Sequence, residues 1–200
     1  MQVAILRYNA GNTQSVRHAL ERLGVTPLIT DDPDQLASAD KVIFPGVGHA
    51  HSAMAYLQSK NLDQLIPQFK QPFLGICLGM QLLCEHSEEG DTPCLGVFPV
   101  KVVKFDRFVN TQTNGYKVPH MGWNNLLNLK GSLTKGLTDE DYMYFVHSYF
   151  VELSEHTSAQ SEHIIPFSAM IEKDNFYAAQ FHPEKSSQQG SKIIQNFLEI

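Results

Sequence analysis

The segment Gly75-Ile76-Cys77-Leu78-Gly79 sets a cysteine between two glycines, with an apolar run over residues 72–76 before it and another over 78–83 after it. The first run reads as a buried strand and the second as the start of a helix, so Cys77 falls at a sharp strand-to-helix turn, the G-x-nucleophile-x-G elbow. Glycine on either side lets backbone segments approach closely enough to build that turn. A side chain held there projects at the carboxyl edge of the sheet, where the amides and partial positive charge of the helix start favour a thiolate. A cysteine that only fills a core has no need of this arrangement, so Cys77 is the candidate nucleophile.

The chain before the elbow alternates regularly. Residues 3–6 form a short buried strand, after which Val16, Ala19, Leu20 and Leu23 recur at helical spacing until Gly24. Residues 26–29 read as a second strand, Asp32-Pro33 as a cap and first helical residue, and residues 41–44 as a third strand ending at Pro45. A helical stretch over residues 52–69, broken near Asn61, leads into the strand before Cys77. Such alternation predicts parallel strands with right-handed crossovers and helices on both faces.

Beyond Leu95 the extended pieces are shorter, at residues 100–105, 142–146, 167–171 and 176–181, and turn-rich segments separate them, which predicts mixed or antiparallel pairing. The chain closes with Gly190-Ser191 and an amphipathic helix that puts Ile193, Ile194, Phe197 and Leu198 on one face. The expected architecture is α/β and flavodoxin-like: an open, mostly parallel central sheet flanked by helices, with an antiparallel extension in the C-terminal half. Without a linker-like tract, the 200 residues with 42% hydrophobic content suit one domain over residues 1–200.

A net charge of −6 repels polyanions on average, so nucleic acid is not an expected partner. Met1 leads straight into the first strand without a basic leader, and no apolar run reaches bilayer length, so a cytoplasmic protein with no membrane contact is expected. The three cysteines, Cys77, Cys84 and Cys94, have neither C-x-x-C spacing nor a matching histidine pair, which argues against a disulfide framework and a zinc site. Cys84, placed two turns along the helix after the elbow, reads as core packing, and Cys94 has no assigned role.

His182-Pro183-Glu184 follows the extended run 176–181. Pro183 keeps its neighbour extended, and positions two apart in extended backbone face the same way, so Glu184 can hold one ring nitrogen while the other faces the thiol. That is a base with its orienting acid. Pro45-Gly46-Val47-Gly48 ends a buried strand and so lies across the crevice from the elbow. An amide of Val47 or Gly48 could join that of Leu78 in an oxyanion hole, a contact worth about 3 to 4 kcal/mol of barrier. Glycine also leaves this loop room for a peptide flip, so the hole could form only when a ligand or partner is bound.

These segments, with Gly11-Asn12, Met80-Gln81, Pro119-His120-Met121-Gly122-Trp123-Asn124, Val146-His147-Ser148-Tyr149 and Gln180 to Ser186, resemble the class I glutamine amidotransferases nearly end to end. The elbow and the His-Pro-Glu tripeptide identify only the class. The PGVG and PHMGWN segments narrow the resemblance to the branch serving histidine biosynthesis, away from subunits for anthranilate or pyridoxal phosphate synthesis. The resemblance implies that Cys77 attacks the amide of L-glutamine, that His182 shuttles the proton and that Glu184 steadies it, with no cofactor and no metal. It implies a glutamine pocket of Gly46, Gly48, Gln81, Glu89 and Tyr144, and a partner interface with Asn12, Trp123 and Lys185. The chain is too short to include a further (β/α)8 barrel of about 250 residues, so a separate cyclase subunit is the implied partner, forming a heterodimer.

The chain departs from the family pattern at Arg7-Tyr8-Asn9, where an acidic residue and a glycine are common, and at His49-Ala50-His51, which reads as a solvated helix start and not a metal site. Two readings of other kinds compete. A binding or redox module would keep a reactive cysteine but have no use for His182 and Glu184. A cysteine peptidase on the same scaffold would need an open cleft for a polypeptide instead of a pocket for an amino acid.

Overall fold

A computed structural model describes residues 1–8, 12–109 and 115–200, so Asn9 and Gly11 lie outside the described residues. The elements run β1 (Val3–Leu6), α1 (Thr13–Arg22), β2 (Leu28–Thr30), α2 (Pro33–Ser38), β3 (Lys41–Phe44), α3 (Ala50–Ser59), α4 (Leu62–Leu65), β4 (Phe73–Ile76) and α5 (Leu78–Leu82). Then follow β5 (Cys84–Ser87), β6 (Thr92–Pro93), β7 (Phe98–Lys104), β8 (His120–Asn125), β9 (Tyr142–His147), β10 (Tyr149–Val151), β11 (Thr157–His163), β12 (Ile165–Lys173), β13 (Phe176–Ala179) and α6 (Ser187–Glu199).

The main sheet has the order β2-β1-β3-β4-β13-β12-β10-β7-β5-β6, with β11 on β12, and β8-β9 form a separate two-stranded sheet. From β2 to β13 every pairing is parallel, and β13 to β7 is antiparallel, so the expected mixture of a parallel core and an antiparallel extension is present. Period-2 alternation divides β1 between two cores. Ala4 and Leu6 join residues of α2, α3 and α5 on one face, and Val3 and Ile5 join α1 and α6 on the other. The central strands β1, β3, β4 and β13 are buried along their whole length, which explains their unbroken apolar reading.

Several local expectations shift. The helix expected over 52–69 begins earlier and breaks at Asn61, whose φ of 56° is left-handed, into α3, α4 and a 3-10 turn over Ile66–Gln68. Cys84 is buried as expected, but it starts β5 instead of continuing the helix, because α5 lasts only five residues. α6 starts before Gly190, which sits inside the helix because a Cβ there would fall on the Pro183 carbonyl oxygen. Asp32 does cap α2, accepting from the Asp34 and Gln35 amides. No helix among the described residues is long and apolar enough to cross a membrane.

Candidate active site

The parallel arrangement puts the ends of β3, β4 and β13 side by side, and the candidate residues follow directly from those ends. Cys77 comes one residue after β4 with φ 53° and ψ −109°, a conformation an L side chain rarely adopts and one that stores strain at the elbow. The turn closes because Gly79 packs directly under the Phe44 carbonyl, where a Cβ would overlap the oxygen, and Gly46 packs as tightly against Leu78 and Gly79. The Cys77 amide donates to the Ala179 carbonyl at 2.7 Å, tying the elbow to the end of β13. The Cys77 Sγ receives the Gln180 side-chain amide at 3.7 Å and lies 3.9 Å from the Val146 carbonyl.

His182 and Glu184 come from the loop after β13. The His182 amide donates to the Tyr144 carbonyl at 2.9 Å, fixing the backbone. His182 Nδ1 lies 2.8 Å from Glu184 Oε1, with both side chains essentially buried. Glu184 does not reach the ring through extended backbone, as the two-residue spacing suggested. Pro183–Lys185 is a 3-10 turn that folds the carboxylate back over His182. With Nδ1 engaged, Nε2 is the edge left toward the sulfur; it is buried and closes no hydrogen bond among the described residues. Burial lowers the basicity of His182, but the Cys77 side chain and the Glu184 carboxylate together outweigh it and carry the pKa up to about 10.

A cavity of about 350 Å³ opens over the sulfur, lined by Cys77, His182, Val47, Gly48, Leu78, Gln81, Glu89, Pro119 and residues 146–149. Glu89 spends one oxygen on the Ala50 amide at 2.7 Å, at the start of α3. His49 caps the same helix, its Nδ1 accepting from the His51 amide at 3.2 Å. Gly46 and Tyr144 are not in the cavity wall. Gly46 supports the elbow from behind, and the Tyr144 ring packs edge-on to Trp123 at 6.0 Å.

The Leu78 amide is not free for an oxyanion: it donates to the Gly46 carbonyl at 3.4 Å. That carbonyl and the Val47 N–H belong to one peptide unit. The Val47 backbone lies against Tyr8, a buried phenol whose pKa burial pushes up. Gly48, with φ 114°, takes a conformation that suits glycine.

The interface candidates divide. Trp123 is 53% exposed on β8, beside Met121 at 63%, so the PHMGWN segment is a strand with an outward tryptophan. Lys185 is exposed next to the triad. Asn12 is half-buried, and its side chain turns inward to donate to Glu184 Oε1, the oxygen that holds His182. For that reason it does not cap α1, although it stands at the N-cap. Sequence reasoning missed this contact and that of Gln180. The Gln180 signal was available, since Gln180 and His182 are two apart in an extended run and share a side.

The class-I glutamine amidotransferase model matches residues 5–200, nearly the whole chain. The chain belongs to that family. Among its relatives, the imidazole glycerol phosphate synthase subunit HisH of Bacteroides fragilis (strain YCH46) is 54% identical over 200 residues, covering all of both chains. The HisH subunit of Idiomarina loihiensis is 46% identical, covering 100% of this chain and 98% of the relative. Among solved structures, a crystal structure of a glutamine amidotransferase superposes with a TM-score of 0.75 at 18% identity, over 98% of this chain and 97% of the other. A glutamine amidotransferase from Thermotoga maritima gives 0.63 at 18% identity, over 100% and 83%. At these identities the two structures show the fold, a class I glutamine amidotransferase α/β sheet.

Proposed function

We propose that this chain, as one domain over residues 1–200, is the glutaminase subunit of an imidazole glycerol phosphate synthase. The observation that carries the reading is an amino-acid-sized cavity that opens over Cys77 and His182, with Glu184 held on the far side of the imidazole, in a chain about half identical to HisH subunits. The Cys77 thiolate attacks the side-chain carbonyl of L-glutamine. His182, held by Glu184, gives its proton to the departing nitrogen, leaving a glutamyl thioester and ammonia. Water, losing a proton to His182, then cleaves the thioester to glutamate and restores the thiolate.

Glu89, with one oxygen committed to α3 and the other available, suits the ammonium group of the substrate, and Gln81 and Gly48 complete the pocket. In the present arrangement the oxyanion that forms on attack would meet the Gly46 carbonyl. A flip of the single Gly46–Val47 peptide would turn that oxygen away, release the Leu78 amide and swing the Val47 N–H into its place. Such a two-state loop gives the partner a handle on activity. Substrate-bound and substrate-free structures with the same, already inward Val47 amide would remove the flip.

The partner is a separate cyclase subunit, which joins the ammonia to a ribulosyl phosphate intermediate to give imidazole glycerol phosphate and an aminoimidazole carboxamide ribonucleotide. Ammonia released into neutral water is mostly protonated and no longer nucleophilic, so a sheltered passage is the physical reason for the heterodimer. Trp123 and Lys185 are the docking contacts, one on β8 and one on the triad loop, which both adjoin β9. The test is glutamate release from glutamine by the chain alone, then with the cyclase and its nucleotide substrate. Weak basal turnover with strong stimulation is expected; equal rates in both states would sink the coupled-subunit reading.

A further inference from the structure

Hydrogen bonds link β8 to the Cys77 sulfur through the Tyr149 carbonyl, which accepts from both sides. On one side His147 is 2.7 Å from that carbonyl through Nδ1. A carbonyl only accepts, so Nδ1 carries a proton. Burial, and then His120, lower the pKa of His147 to about 3, so the ring is neutral and Nε2 has a lone pair. His120 Nδ1, 3.0 Å from that nitrogen, must therefore be the donor. His120 is itself held neutral, at about 4, by burial and by His163, and its Nε2 accepts from Asn124 at 3.4 Å.

On the other side, the buried Gln81 amide divides its two hydrogens. One goes to the Tyr149 carbonyl at 3.0 Å, alongside His147, and the other to Gln180 Oε1 at 3.0 Å. With its oxygen taken, Gln180, fully buried, can only present its N–H groups to the sulfur at 3.7 Å. Reversing one amide would set donor against donor or acceptor against acceptor in a dry site, which is costly. The orientation of Gln180 is thus fixed from a distance.

We propose that His147 is a positioning residue for the glutaminase reaction: by bonding the Tyr149 carbonyl beside Gln81, it holds Gln81 and Gln180 so that an amide N–H points at the Cys77 sulfur. This rests on the reading of Cys77 as the nucleophile. A donor aimed at the sulfur favours its charged form, and the same bonds fix the 146–149 wall of the cavity. The other titratable groups bearing on His147 are His120, His163 and His182, of which only His182 favours the cation.

The test is the pH profile of iodoacetamide alkylation at Cys77, read by peptide mass spectrometry on the full chain. His147→Leu should slow alkylation at neutral pH about tenfold and shift the profile to higher pH. His147→Asn, which can place an amide N–H where Nδ1 was, should stay within about twofold of the unaltered protein. Gln180→Met removes the donor at the sulfur and should reproduce the His147→Leu profile, which keeps the proposal open to test if the leucine variant does not fold. A folded His147→Leu or Gln180→Met variant with an unchanged profile overturns the proposal, as does His147→Asn behaving like His147→Leu. Glutamate release by Cys77→Ser, measured alongside, is a different readout: retained turnover there overturns the nucleophile reading itself, whereas loss of turnover with unchanged alkylation profiles overturns only the role of His147.

Discussion

Asn12 and Glu184, 172 residues apart in sequence, share a hydrogen bond in which the asparagine amide donates to the carboxylate oxygen that also holds His182. The acid of the triad is thus oriented from α1 as well as from its own loop. Glu184→Gln should lower kcat about a thousandfold, since an amide can present the wrong group to Nδ1. Asn12→Ala leaves the carboxylate in place but freer to turn, and should cost about tenfold in kcat with little change in KM. Steady-state glutaminase assays check both, and equal losses in the two variants would count against this division of roles.

The elbow depends on backbone contacts that only glycine permits, and two substitutions separate contact from conformation. In Gly79→Ala the new Cβ would meet the Phe44 carbonyl, whereas in Gly24→Ala nothing lies within 4 Å and only the φ of 79° is unfavourable. Gly79→Ala should cost about 2 to 3 kcal/mol and most of the activity. Gly24→Ala should cost about 1 kcal/mol and leave turnover intact. Urea unfolding with parallel assays measures the difference.

Stability should fall on the acid side. The folded pKa values of His120 and His147 are depressed to about 4 and about 3, below the unfolded value of 6.5. The unfolded chain therefore takes up protons that the folded one refuses, so stability present above 6.5 is lost as the pH falls. By about pH 5 each histidine costs on the order of 2 kcal/mol at most. His182 has the opposite sign: raised to about 10, its contribution is complete below 6.5 and fades as pH rises through 10. Denaturant midpoints across this range should peak near neutrality, and His147→Asn should flatten the acid limb.

Trp123, half exposed over Tyr144, gives up little on folding and is free to be covered by the partner. Trp123→Ala should weaken the complex by about 2 kcal/mol, near thirtyfold in Kd, while leaving the unfolding midpoint nearly unchanged. Titration calorimetry with the cyclase subunit reads this directly. An unchanged affinity would remove the tryptophan from the interface.

The parallel half of the fold was legible as far as β4 because β1, β3 and β4 are buried on both faces and read as continuous apolar runs, whereas β13, read with the later mixed or antiparallel pieces, pairs parallel with β4 and antiparallel with β12. The elbow and the His182-Pro183-Glu184 segment were legible because their chemistry is compressed into a few neighbouring residues. β5, β6, β10 and β11 were not: Cys84 continues an apolar run that resembles helix, and β11, Thr-Ser-Ala-Gln-Ser-Glu-His, carries no apolar alternation. The contacts of Asn12 and the relay through His147 and Gln81 depend on elements that meet only after folding, so no local spacing announces them.

The central claim is that Cys77 carries the glutamyl group during turnover. Acid quenching of the complex while it consumes glutamine, followed by peptide mass spectrometry, should find a glutamyl adduct on the peptide containing Cys77, and Cys77→Ser should release no glutamate at a comparable rate. Sustained glutamate release with the Cys77 peptide unmodified at every time point would contradict it.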